Sequence, residues 1–186
     1  MNEEDYEAIF KMFDKIRKMG NIEKTDFMKI IQSISRNISV YDLSIATAVL
    51  REEGRYIQEN YREKYLEVYV RYFIMRLRDI NEDGNNYAND YVDIDGLHES
   101  LDILKHQMKV EKNEHPNDKF PLIYALISLY TTYILEQPIH PVGTPFPGNL
   151  HVTYENGIFY CPVKKNNVDN PKAVCKFCIA EQTEID

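Results

Sequence analysis

The sequence predicts a mainly α-helical protein, a bundle of about five to seven helices that carries a C-terminal Pro/Gly-rich loop and a β-hairpin metal module. Three observations predict it. Apolar residues recur at helical spacing as far as residue 136, proline and glycine crowd the chain from Gln137 onward, and all three cysteines fall in that second stretch. We therefore read residues 1–136 as the bundle and 137–186 as a module packed on it, one domain overall, which suits a chain of 186 residues.

Each helix has its own signal. Ile9, Phe10, Phe13 and Ile16 form one stripe, with Gly20 as its stop, and Phe27, Ile30, Ile31 and Ile34 form the next. Ser39 and Asp42 have the spacing of a capping box, with Asp in place of Glu, ahead of Leu43, Ala46, Val49 and Leu50. Gly54 weakens or breaks that helix. The pattern resumes through Ile57, Tyr61, Tyr65, Val68, Tyr72 and Leu77, and again through Leu97, Leu101, Leu104 and Met108. Pro121 suits a first helical turn, where its missing N–H leaves no bond unmade. Leu122 to Leu135 is apolar nearly all round, yet shorter than the roughly 20 residues that span a bilayer. It reads as a central helix enclosed by the others.

Beyond Gln137, Pro138, Pro141, Pro145, Pro147 and Pro162 with Gly143, Gly148 and Gly157 rule out helix. Val152-Thr153-Tyr154 and Ile158-Phe159-Tyr160 flank Asn156-Gly157, a strong hairpin signal.

Charge narrows the partners. Thirty acidic against 22 basic residues give a net charge of −8, which argues against binding nucleic acid or anionic membranes through phosphate neutralisation. Met1–Glu7 is acidic and has no apolar run, so no secretory signal is expected and the cytoplasm is the default compartment. An odd cysteine count is no disulfide framework. No phosphate-cradling glycine motif and no H-E-x-x-H pair occurs.

The cysteines carry the chemistry. Cys175-Lys176-Phe177-Cys178 is a C-x-x-C, which can turn two thiolates toward one ion, and Cys161 ends the second hairpin strand. The fourth ligand is His140, ahead of a rigid proline loop, or His151, which a hairpin register could bring beside Cys161. Three thiolates and an imidazole suit zinc; the same thiolates suit an iron–sulfur cluster. The competing readings are buried free cysteines and a redox pair, although a thioredoxin-like pair requires a βαβ setting that the pattern lacks.

The strings His140-Pro141-Val142-Gly143-Thr144-Pro145-Phe146-Pro147-Gly148, Tyr160-Cys161-Pro162-Val163-Lys164 and Cys175-Lys176-Phe177-Cys178 resemble an uncharacterised family of methanogenic archaea, protein family three hundred and five, a domain of unknown function. The likeness covers residues 139–180, about a quarter of the chain. It implies an anaerobic cytoplasm in which reduced thiols and iron–sulfur clusters are both at home. It favours His140 over His151, because the family's motif opens with that histidine, and it carries no catalytic residue.

Other candidates are weaker. Asp79-Ile80-Asn81-Glu82-Asp83-Gly84, with Asp90 at the twelfth position, has the spacing of a calcium loop; the plain alternative is an acidic connection between helices. His98 and His106 read as parts of a solvated helix face. The 14 tyrosines read as core packing with polar tips rather than as stacking platforms for single strands. The expectation is thus an accessory module, its zinc on Cys161, Cys175, Cys178 and His140, that meets a protein partner. The alternative is an iron–sulfur redox protein or enzyme on the same cysteines. An open catalytic zinc would need a general base, and the sequence names none; His151 or Glu155 would be a guess.

Overall fold

The computed structural model describes residues 3–114 and 118–183. The described residues form seven helices and five short strands. The helices are α1 (Glu3–Ile16), α2 (Lys24–Ser35), α3 (Val40–Glu53), α4 (Glu59–Glu82), α5 (Ile94–Glu114), α6 (Phe120–Leu129) and the single turn α7 (Lys164–Asn167). The strands are β1 (Pro145–Phe146), β2 (Leu150–His151), β3 (Thr153–Glu155), β4 (Ile158–Cys161) and β5 (Glu181–Gln182).

The mainly helical expectation holds. Helix α6 sits at the centre, packed against α2, α3, α4 and α5. Its residues Ile123 and Ala125 have no exposed surface, and of Phe120 to Leu129 only Tyr124 is not fully buried. An apolar surface on every side must be covered on every side, which places this segment inside the bundle. The chain continues from α6 as a π-helical turn, Tyr130–Ile134. The Leu135 N–H bonds the Tyr130 carbonyl, and Glu136 at φ 50° ends the helix. Just before that end, the buried Ser100 and Tyr133 hydroxyls bond to each other at 2.5 Å.

Local chemistry sets the boundaries. The capping box forms as its spacing requires: the Asp42 N–H donates to Ser39 Oγ at 3.1 Å, and the Ser39 N–H donates to Asp42 Oδ2 at 2.8 Å. Gly54 ends α3 and opens a 3₁₀ turn, and a Cβ there would lie 2.6 Å from a Leu66 methyl. The missing side chain is what lets α4 fold back so closely. Helix α1 ends at Ile16, a turn before Gly20.

The C-terminal residues form two small sheets. β1 and β2 pair antiparallel, while β3, β4 and β5 form the other, with β5 parallel to β4. Asn156 and Gly157, at φ 52° and 86°, make the two-residue turn between β3 and β4 that requires left-handed backbone at both positions. Val174, Phe177 and Cys178 pack onto the helical core.

The calcium-loop spacing of Asp79–Asp90 corresponds to a different structure. Helix α4 runs through Glu82, so Asp79 and Asn81 are helical. Asp79 pairs with Arg76 and Arg78, the Asn81 amide donates to the Leu77 carbonyl, and Asp83 accepts from the Tyr87 and Tyr130 hydroxyls. Asp90 pairs with the buried Lys24, which also holds Glu136 at 2.7 Å. The Asp79, Asp83 and Asp90 carboxylates are engaged by protein donors, and the segment is an acidic helix connection. No helix among the described residues is long and apolar enough to cross a membrane. Met1 and Asn2 of the acidic opening lie outside the described residues.

Candidate thiol and imidazole site

Cys161, Cys175, Cys178 and His140 all line one cavity of about 170 Å³, closed by Tyr65, Tyr124, Phe146 and Lys164. Three separate segments supply them. Strand β4 delivers Cys161 at its end, the turn before β5 delivers Cys175 and Cys178, and the proline loop ahead of β1 delivers His140.

Each position has a local cause. The Cys178 N–H bonds the Val174 carbonyl at 3.1 Å, closing a tight turn that carries both cysteines of the C-x-x-C. Lys164 braces the far side of this turn, donating from Nζ to the carbonyls of Cys178 at 2.8 Å and Ala180 at 2.5 Å. The chain bends sharply after Cys161 at Pro162, which turns the backbone N–H groups of Val163 and Lys164 toward the Cys161 sulfur. Donors aimed at sulfur favour a thiolate over a thiol.

All three cysteines are free. Burial pushes the Cys175 thiol up to about 11, with Cys178 and Cys161 adding to the shift, and burial raises Cys161 as well. At neutral pH these two sulfurs therefore carry protons in the metal-free protein.

His140 is ringed by aromatic groups. Its ring lies 5.0 Å from Tyr69, 5.6 Å from Phe146 and 6.1 Å from Tyr65, centroid to centroid. Its Nε2 hydrogen-bonds the Tyr65 hydroxyl at 3.1 Å. Burial holds the imidazole pKa down at about 4, so the ring is neutral at pH 7. Neutral imidazole is the form that binds metals.

The rival histidine is elsewhere. His151 pairs with Pro145 across β1 and β2, stands exposed, and does not line the cysteine cavity. His98 is half-buried, with Nε2 unpartnered among the described residues, and His106 is exposed. The C-x-x-C leads through irregular backbone into β5, so no βαβ unit of the thioredoxin kind surrounds it. Among the described residues, no three His, Cys, Asp or Glu side chains stand close enough together to hold a metal ion. The four candidate ligands share a cavity without converging on one point.

Sequence reasoning missed Tyr65, Tyr124 and Lys164 as parts of this site. Tyr65 looked like one more member of a packed stripe. Tyr124 carried a usable signal, as the one residue of Phe120 to Leu129 with a hydroxyl on a ring.

Residues 23–183 match the family described as an uncharacterised protein conserved in archaea, DUF2115. The chain belongs to this family. Three of its relatives cover 70% to 83% of the chain. A UPF0305 protein of Methanothermobacter thermautotrophicus is 36% identical over 155 residues, 83% of this chain and 93% of the relative. The UPF0305 protein of Methanopyrus kandleri is 31% identical over 135 residues, 70% and 90% of the two chains. That of Methanocaldococcus jannaschii is 24% identical over 149 residues, 80% and 89%. The family match thus extends far beyond the proline and cysteine strings, over most of the helical bundle. No solved structure matches the chain significantly.

Proposed function

We propose that this family member is a metal-binding accessory protein, which takes zinc on Cys161, Cys175, Cys178 and His140 and uses it to staple the C-terminal module. The observation that carries the reading is that these four side chains, from three segments of chain, line one small cavity. The two N–H groups directed at the Cys161 sulfur add to it, since they would stabilise a thiolate ligand. The Tyr65 hydroxyl engages His140 Nε2, so Nδ1 is the nitrogen that would bind the ion, with Tyr65 orienting the ring. The ion would draw the C-x-x-C turn and Cys161 together and release their protons. Val142, Tyr154, Ile158 and Ile179 are exposed on the same module and fit a surface that meets a protein partner in the cytoplasm.

The second reading is an iron–sulfur cluster on the same cysteines, for which N–H donors to sulfur are equally suited. The methanogen relatives make an anaerobic setting consistent with it.

One experiment separates them. The protein is purified without oxygen, its zinc and iron are counted, and its absorbance is read at about 400 nm. One zinc in a colourless protein supports the staple, and several irons in a brown protein support the cluster. The absence of both metals overturns both readings. Cys175→Ser should lose the metal, and full metal retention in that variant would refute the ligand assignment.

A further inference from the structure

A second cavity, of about 350 Å³, adjoins the cysteine cavity, and the two share Tyr65, Tyr124, His140 and Ala173 in their walls. Its size falls in the range of small-molecule sites. We propose that this cavity binds an uncharged planar aromatic molecule, held between the rings of Tyr65, Tyr69, Phe120 and Tyr124 and the side chain of Met108. The proposal does not depend on a metal in the neighbouring cavity.

The ring arrangement argues for an aromatic occupant. Tyr65 and Tyr69 on α4 lie 5.4 Å apart, and Phe120 and Tyr124 on α6 lie 5.8 Å apart, so two aromatic pairs face the space from adjacent helices. Aromatic faces gain from a flat π-system beyond what area burial gives, and a thioether on the wall adds a favourable sulfur contact. The polar groups are already paired with one another: Tyr69 bonds Tyr124, and Tyr65 bonds His140. A ligand meets hydrogen-bonding groups here but no open charge. The ionic residues at the mouth, Glu53 and Lys172, both have partners within the protein.

The opposite wall is held in place. The Gln107 amide on α5 donates to the carbonyls of Pro171 at 2.9 Å and Ala173 at 3.0 Å, fixing the loop that closes the cavity. A site formed before its ligand arrives loses little in ordering when it binds.

The test uses 2-naphthol and its saturated counterpart decahydro-2-naphthol, titrated into the full-length protein as purified. The chain has no tryptophan, so energy transfer from tyrosine to 2-naphthol reports binding without an indole background. Saturable binding with a Kd below about 1 mM is expected, about three- to tenfold tighter than for the saturated analogue. Methyl NMR should place the shifts at Met108 and Val110. Ala173→Phe, which fills the cavity, should abolish binding. Val110→Arg, which keeps the chain free of tryptophan and crowds the cavity from the exposed side of α5, should weaken it even if Ala173→Phe fails to fold. The proposal is overturned by non-saturable 2-naphthol, by equal affinity for decahydro-2-naphthol, or by shifts confined to other residues.

Discussion

The helical bundle and the C-terminal module are held by different physics. In the bundle, α6 is covered on all sides and large apolar side chains such as Ile123 and Leu126 are at most 1% exposed. The module has strands of two to four residues, and the apolar side chains it buries, such as Ile139, Phe146, Val152 and Val174, are far fewer than those of the bundle. Short hairpins of this kind are marginal in water without further support. The support comes from Ile139, Val174, Phe177 and Cys178 packed on the helical core and from polar contacts: Tyr65 on His140, Gln107 on Pro171 and Ala173, and Lys164 on Cys178 and Ala180. The zinc staple proposed above would act on the module and not on the bundle.

The largest test of that contrast is a cavity in the bundle. Leu126→Ala should lower the unfolding free energy by about 2–5 kcal/mol, read by helical circular dichroism in urea. A loss below about 1 kcal/mol would mean that α6 is less central than its packing indicates.

Next comes the module. If zinc binds as proposed, chelation, or Cys161→Ser, should expose residues 137–183 to protease while most helical dichroism survives. Collapse of the helical signal on chelation would erase the distinction between the regions. If zinc binds as proposed, Tyr65→Phe then sharpens the contrast, since loss of the hydroxyl that bonds His140 should weaken that binding about 10–100-fold while leaving the bundle's urea midpoint nearly unchanged.

The smallest effect lies back in the bundle. Asp42→Ala removes half of the α3 capping box and the partner of Lys119, at a cost of about 1 kcal/mol at pH 7. Burial acts to raise the Asp42 pKa, but the Lys119 ammonium and the Ser39 hydroxyl and N–H outweigh it and hold it below its ordinary value. The native advantage is therefore fully present above about pH 4 and lost as the pH falls through the lower folded value. Denaturation of both proteins at neutral pH and near pH 3 checks the sign.

Much of the fold was legible because its signals are local. The Ser39–Asp42 spacing, the Asn156-Gly157 turn and the all-round apolar stretch after Pro121 each depend on residues within a turn or two of one another. The calcium-like spacing of Asp79–Asp90 stayed the weaker reading for the complementary reason. A loop motif is defined by ligand order, but α4 continued into it because its helical bonds and the Arg76 and Arg78 pairs held Asp79 in place. The candidate site was half legible. The sequence singled out its cysteines and left two histidines open.

By itself the sequence determined the helical class, the capping box of α3, the hairpin turn and the confinement of every cysteine to the last quarter of the chain. These follow from backbone preferences and from the period at which apolar groups must repeat to share a face. Only the tertiary structure decided that His140 rather than His151 borders the cysteines, and that Tyr65 and Tyr124 wall off both cavities. Those residues are far apart in the chain. Their meeting depends on how α4, α6 and the proline loop pack, and no local rule of sequence encodes that.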